Sequence, residues 1–597
     1  MEPLYRPLAL NEIRLIRILP PRVDSDLVTV ELETAQLESQ SEVTAARIAA
    51  NTNSSDPWQS ELEYAALSYC WGDPQVTRPV RVNGRIVQVT VNLEAALRQL
   101  RHDVGEGRLW VDAICINQDD LAERAQQVSI MFWIYQGAFK VHIWLGELDN
   151  LAMDGMRLLE LILKKRTGRG DYEHDWSSEQ QRCDGIEALA RLCRAPYWER
   201  MWIVQEVSGK GMSTQETRLH LGTYSFALPT WMAVHGVAGW LADAQDECKE
   251  ATGLSAQQYQ RLQVLDEAIQ VIDRAFNPMV IATWGFATNQ ILASGDIAFA
   301  RFVPTLIMGL RKSFATDPRD KIYGMLGLLP GAMELSPDYN SPTASVYCEA
   351  TVQVMKITKT LFLTHQACSG NDDLPTWVPD YSRASRMPPT FVHEFETFNA
   401  DGVMSLVFER RAGEVLCVNG LHVDTVSHVA GCEISIHPVD KRARGCSTLS
   451  AWRTFYKQHC LSTPAKTYTV GSTRYMPFWR TVCLTSPVST RHGRATFEDR
   501  DTAMFEAAFS ALRHGGQVTD DERSKLDQMY GTISEHDFFV TAAGRIGMVA
   551  PETASPDDKI LILASAHCPF IAREALAAGE RAYTLQSPCY VDGEYEA

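Results

Sequence analysis

The sequence predicts an α/β fold for its first third, an open parallel sheet, followed by a mainly helical region and then a mixed α+β region. Three observations predict it. Residues 108–146 read as strand, helix and strand, the right length for a right-handed parallel crossover. The runs at 109–116 (LWVDAICI) and 140–145 (KVHIWL) are apolar without alternation, as strands covered on both faces are. Beyond about residue 374, short strand-like runs alternate with loops.

Taken in order, residues 11–18 and 28–36 read as short strands, and 37–60, rich in Ser, Asn, Thr, Ala and Gln, as a surface insertion. The apolar run 64–71 is stopped by Gly72-Asp73-Pro74. Residues 79–91 alternate around Asn83-Gly84, a hairpin signal. Asn92 is expected to cap a helix with Leu93, Ala96, Leu97 and Leu100 on one face. After the strand 109–116, residues 117–120 (NQDD) cap a helix over 120–137, and its stripe is Leu121, Ala125, Val128, Phe132 and Tyr135. Gly146 ends the next strand. Helices are expected at 152–165 and 184–194, and Pro196 is placed to open another that runs to Val207. Residues 226–330 read as mainly helical, with Asp317 as a cap, Pro318 at the first helical position and Gly331 just past the end. The best later strands are 415–418, 538–540, 546–549 and 559–563. The expected domains are 1–225 (core 60–225, with strands in 11–36), 226–330 and 331–597.

With 597 residues the chain exceeds one hydrophobic core. Hydrophobic residues at 45% and charged residues at 22% are globular values and exclude a disordered or fibrous protein. A net charge of −18 argues against a general nucleic-acid binder. The 14 cysteines form no C-x-x-C pair and there is no HExxH, so no metal is expected. Sparse cysteine and an N-terminus without an apolar signal segment point to the cytoplasm. The longest uncharged stretch, between Arg274 and Asp296, is too polar for a membrane span. No GxGxxG follows a strand and no GxxxxGK[ST] occurs, which excludes a dehydrogenase or a P-loop NTPase.

Three segments, in this order, carry a specific signature: residues 64–73 (YAALSYCWGD), residues 109–118 (LWVDAICINQ) continuing through Glu123-Arg124 to Trp144-Leu145-Gly146, and residues 197–206 (YWERMWIVQE). Together they resemble the heterokaryon-incompatibility (HET) domain of filamentous fungi. Weaker likeness extends through the opening strands, 317–328, 374–381 and the C-terminal end. Cys70 departs mildly from the family, which more often has Val there. The resemblance implies a role in non-self recognition and programmed cell death. The HET domain in turn resembles, remotely, the TIR fold, a flavodoxin-like parallel α/β domain. Several TIR domains hydrolyse NAD with one helical glutamate, and that likeness is an analogy of fold.

Ligands of open α/β sheets bind beyond the carboxyl ends of the strands. Converging there are Trp71 and Gly72 after one strand, Asp112, Cys115, Asn117 and Gln118 on and after the next, and the segment 197–207. Trp198, Trp202 and Glu206 fall on one face at helical spacing. TIR enzymes carry Trp and Glu at the same four-residue spacing, so the resemblance makes Glu206 the catalytic candidate and Trp202 its companion. A carboxylate set against aromatic surface is partly desolvated. It would stabilise the oxocarbenium-like state of nicotinamide–ribose cleavage. No cofactor is required; NAD is the candidate substrate. The same residues also allow Glu206 to pair with Arg200 or Arg124, Trp198 and Trp202 to be core, Asn117 and Gln118 to be caps, and Cys115 to be a buried thiol. Glu123-Arg124 reads as a helix-surface ion-pair element.

Two functions therefore stay open. One is an NAD glycohydrolase; the other is a non-enzymatic recognition or signalling module acting by assembly. The partners expected are a second copy of the chain or a HET-triggering protein, with no nucleic acid. A resting member with neither activity is the third reading.

Overall fold

The computed structural model describes residues 3–21, 26–37, 62–103, 107–147, 195–208, 217–227, 313–329, 333–367, 373–383, 405–411, 415–432, 441–461, 476–483, 499–513 and 536–592 except 567 and 578, with single positions in 303–311 and 519–533. The expected insertion at 37–60, the helices at 152–165 and 184–194, most of 226–302, and Gly331 lie outside the described residues. The chain divides into two compact units, Met1–Val346 and Tyr347–Ala597. Among the described residues no helix is long and apolar enough to cross a membrane.

The first unit is built on a nine-stranded sheet: β1 Glu12–Ile18, β2 Thr29–Gln36, β3 Ala65–Tyr69, β4 Thr77–Val82, β5 Arg85–Thr90, β6 Arg108–Trp110, β7 Lys140–Trp144, β8 Thr217–Leu221 and β9 Tyr224–Ala227. Their order is β5-β4-β2-β1-β6-β3-β7-β8-β9. The parallel pairing expected from the sequence covers the centre and one outer pair, β2–β4. β6, β3, β7 and β8 are mutually parallel, whereas β1 runs antiparallel to both β2 and β6, and β4–β5 and β8–β9 are antiparallel hairpins. The reason is connection length: the short β1–β2 and β4–β5 links leave no room for a crossover. Asn83 and Gly84, at φ 48° and 80°, form the expected hairpin turn.

The helix α1 (Val91–Asp103) follows β5, but Asn92 does not cap it. Its amide donates to the Cys70 carbonyl at 2.6 Å, and its oxygen accepts from Trp144 Nε1 at 2.8 Å. The run 109–116 is not one strand. β6 stops at Trp110, and Asp112–Cys115 is a short helix (α2). The Ile114 and Cys115 amides turn back to the Val111 carbonyl, at 3.1 and 2.8 Å, which closes the turn and buries Ile114 and Cys115.

The helix α3 (Leu121–Gly137) starts at Asp120, whose carboxylate accepts from the Ala122 and Glu123 amides. Its docking is set by two phenols, Tyr64 donating to the Ile134 carbonyl and Tyr135 to the Leu67 carbonyl. Glu123 is not on a surface ion pair with its neighbour. It is buried and gripped by Arg14 of β1 at 2.6 and 2.9 Å.

The expected helix 196–207 is interrupted. A 3-10 turn (Pro196–Glu199) precedes α4 (Ile203–Ser208), and between them Arg200 bridges Phe314 in parallel. The Met201 amide donates to the Phe314 carbonyl at 2.8 Å, and the Phe314 amide to the Glu199 carbonyl. The helix α5 is Asp320–Leu326. It begins three residues after Asp317, whose carboxylate accepts from the Arg319 backbone amide at 3.0 Å and pairs with the Arg319 guanidinium at 2.8 Å.

The second unit includes most of α6 (Thr343–Thr358), the hairpin β10 Phe408–Arg411 and β11 Val415–Val418, and three further helices, α7 Lys441–Tyr456, α8 Met476–Cys483 and α9 Asp499–Arg513. Six strands close a barrel in the order β12-β13-β14-β17-β16-β15, with β12 Gly420–Ala430, β13 Asp537–Thr541, β14 Ile546–Val549, β15 Lys559–Leu563, β16 Phe570–Ala577 and β17 Glu580–Val591. β13 is buried throughout, and its apolar centre reaches two cores. Phe538 and Val540 pack on Trp452, Phe478 and Trp479, while Phe539 joins Val426, Ile560 and Ile571.

Candidate functional site

Ser68 is the polar residue of a fully buried strand, β3. A buried hydroxyl needs partners, and two are present. It lies 2.7 Å from the Tyr197 hydroxyl and donates to Glu206 Oε2. Arg200 completes the group. Nη1 donates to Glu206 Oε2 at 3.1 Å and Nη2 to Oε1 at 3.0 Å, a bidentate fork. Glu206 is 3% exposed. Burial works against the Arg200 charge, but Glu206 outweighs it and holds the guanidinium firmly protonated. Burial, then the charge of Glu206, pushes the Tyr197 phenol far up, so it stays neutral.

The second half of the site lies at the carboxyl ends of the adjacent parallel strands β3 and β6. Trp71 Nε1 donates to Asp112 Oδ2 at 2.8 Å, and the Ala113 amide to Oδ1 at 2.7 Å. Asp112 is partly exposed, and Trp71 is 38% exposed. Burial raises the Asp112 carboxyl, Arg200 lowers it and Glu206 raises it again, to about 6. Gly72 takes φ +78°, and a would-be Cβ would meet only Asn92 Cβ at an ordinary 3.9 Å, so its need is conformational.

The structure thus brings Trp71, Asp112, Arg200 and Glu206 into one electrostatic group. Gln118 borders it, donating to the Asp112 carbonyl at 2.9 Å. The Asn117 backbone N–H donates to Glu123 Oε1 at 2.7 Å. Cys115 is fully buried, and burial pushes its thiol up to about 12, the state of an inert thiol. Trp202 sits one turn before Glu206 in the chain, with the Glu206 amide on its carbonyl at 3.2 Å. Its indole is turned to Asp320 Oδ2 at 3.3 Å. Trp198 is on the 3-10 turn and buried, so it shares no helical face with them. Ser68 and Tyr197 were not singled out from the sequence, and Asp320 reads there only as a capping or salt-bridge residue; a lone serine in an apolar strand was the available signal for the first. Among the described residues no three His, Cys, Asp or Glu side chains converge as metal ligands.

These features define an α/β domain with a charged group behind the carboxyl ends of its parallel strands. Residues 64–206 match the family described as Heterokaryon incompatibility protein (HET). The likeness to the HET family is thus carried by residues 64–206, within the first unit. In an alignment of 622 residues it is 22% identical to Heterokaryon incompatibility protein 6, OR allele, of Neurospora crassa, with 89% of each chain covered. No solved structure matches it.

Proposed function

We propose that this HET-domain protein acts in the cytoplasm in fungal non-self recognition that ends in programmed cell death. Its first unit supplies the lethal step as a TIR-like, flavodoxin-like NAD glycohydrolase. The likeness to a heterokaryon-incompatibility protein supports the first part. The observation that carries the second is the charged group of Asp112, Arg200 and Glu206 beside the half-exposed Trp71, at the ends of β3 and β6, where such sheets bind ligands. In this reading Glu206 stabilises the positive charge that develops on the ribose as nicotinamide leaves, once Arg200 releases it to the substrate. Trp71 offers aromatic surface to a nucleobase or nicotinamide ring. No metal or further cofactor takes part. Assembly with a second copy or with a triggering protein is the event that frees Glu206.

A second reading is favoured by the fork itself. Glu206 with three donor contacts is a structural carboxylate, and the domain is then a recognition module that works by assembly alone.

Nicotinamide release separates the two. The full chain and Glu206→Gln are incubated with NAD at low and high protein concentration, with near-UV circular dichroism to confirm that both are folded. Release by the wild type that is lost in the folded variant supports the enzyme. No release from the wild type at any concentration sinks the NAD reading and leaves the recognition module.

A further inference from the structure

The Glu206 carboxylate is nearly sealed, and Arg200 and Ser68 take three of its roughly four acceptor sites. Water has poor access to it. Hydrolysis needs a group that can receive the proton of the attacking water, and that group has to be wet. Asp112 meets the requirement. It lies beyond the end of β6, partly exposed, and its oxygens accept from Trp71 Nε1 and the Ala113 amide, with the Tyr69 phenol beside them. A carboxylate offers about four acceptor sites, so both oxygens can also accept from water.

We propose that Asp112 is the catalytic base of the NAD glycohydrolase reaction, oriented by the Trp71 indole, while Arg200–Glu206 provides the fixed charge behind it. This rests on the NAD reading given above. The step balances without a co-reactant. The C1′–N1 bond breaks and its electron pair neutralises the pyridinium nitrogen of nicotinamide. A water oxygen bonds to C1′ and gives one proton to an Asp112 oxygen. The proton then leaves Asp112 for solvent, so that NAD and water yield ADP-ribose, nicotinamide and one proton.

The electrostatics agree with that role. The groups that face Asp112 are the Arg200 guanidinium, the Glu206 carboxylate, the Trp71 indole, and the phenols of Tyr69 and Tyr135, with the Cys115 thiol behind. Burial pushes both phenols well above their ordinary range, so they are neutral at working pH. Arg200 stays charged. Burial raises Asp112, the fixed Arg200 and Glu206 pull it in opposite directions, and it titrates at about 6. A base poised there is ionised at neutral pH yet basic enough to take a proton.

The test is the pH dependence of kcat/KM for nicotinamide release by the full chain. In the wild type it falls roughly tenfold per pH unit below about 6. Trp71→Phe removes a hydrogen bond that favours the ionised carboxylate, so its acid limb moves to higher pH, whatever happens to KM. Asp112→Asn loses about 100-fold or more in kcat and loses the limb. It still binds NAD, followed as ligand-dependent stabilisation against heat, which also shows that it is folded. If the limb survives unmoved in both variants, the role of Asp112 is overturned while the glycohydrolase stands. No release from the wild type in any form overturns both.

Discussion

Arg200 holds Glu206 by a two-pronged fork, at 3.0 and 3.1 Å, with 13% of the arginine side chain and 3% of the glutamate side chain exposed. Taking one partner from a buried pair strands the other charge, so Arg200→Met should cost about 3–5 kcal/mol of unfolding free energy. Arg200→Met/Glu206→Met should cost clearly less than the sum of the single changes, because no lone charge remains. Denaturant titrations of the four proteins form the cycle. A coupling under about 1 kcal/mol would mean the fork is as loose as a surface pair. The same reasoning makes the folding control on Glu206→Gln essential, since that change strands Arg200.

The segment that carries Glu206 is held from far along the chain. Met201 and Glu199 pair with Phe314, Gln205 Nε2 donates to the Tyr323 carbonyl at 2.9 Å, and Trp202 reaches Asp320. Lys321 is buried with its ammonium on the Arg311 and Ser313 carbonyls, and burial lowers it to about 8. A fragment of residues 1–225 loses all of this. It should show no cooperative thermal transition by circular dichroism, while a fragment of 1–346 should melt as one unit. A sharp transition in 1–225 would mean that the later contacts are dispensable.

Local patterns were legible where local rules decide. The hairpin at Asn83-Gly84, the parallel strands β6 and β7 on either side of β3, the helix capped at Asp120, the hairpin strand at 415–418 and the barrel strand at 546–549 were readable from periodicity and turn chemistry. Contacts from far away were not. Nothing near Arg200 announces that Phe314 will pair with it and break a helix in two. Asp112 reads as part of an apolar strand until its neighbours Ile114 and Cys115 bond back to Val111. The carboxyl-end cluster of Trp71, Asp112 and Glu206 was anticipated as a set. The pairing of Glu206 with Arg200 was among the readings the sequence allowed, whereas the place of Ser68 and Tyr197 beside it depended on side-chain geometry that spacing does not encode.

Gly327 shows how tightly α3, α4 and the end of α5 meet. A Cβ there would fall 2.3 Å from Phe132 Cβ and 2.9 Å from Gln205 Oε1. Phe132 Cβ is fixed to the α3 backbone and cannot swing aside. Gly327→Ala should therefore cost about 1–3 kcal/mol, the range for overpacking a core. At Gly324 the atoms met belong to the flexible Met201 side chain, at 2.8 and 3.1 Å. Gly324→Ala should be the milder change, and in helix α5 alanine also favours the backbone. Denaturation midpoints decide it; an equal or larger loss at Gly324 would contradict the packing argument.

His142 Nδ1 and His220 Nε2 lie 2.8 Å apart on the neighbouring strands β7 and β8. One ring must donate and the other accept, which requires at least one neutral imidazole. Burial, then His220, Lys140 and Arg218, lower His142 to about 3; burial, then Arg218 and Lys140, lower His220 to about 4. In the unfolded chain both take up a proton near 6.5. Between there and about 4 the unfolded state binds more protons, so the contribution of the pair to stability is lost as pH falls. Asp112 and Asp320, each raised to about 6 mainly by burial, act in the opposite sense: folded, they take up protons at higher pH than in the unfolded chain. The comparison must therefore be with a variant that keeps both carboxyls. His142→Leu/His220→Leu should gain stability relative to wild type on going from about pH 7 to about pH 5, read by urea denaturation at each. Parallel behaviour of the two proteins would mean that the histidines titrate as freely in the fold as out of it.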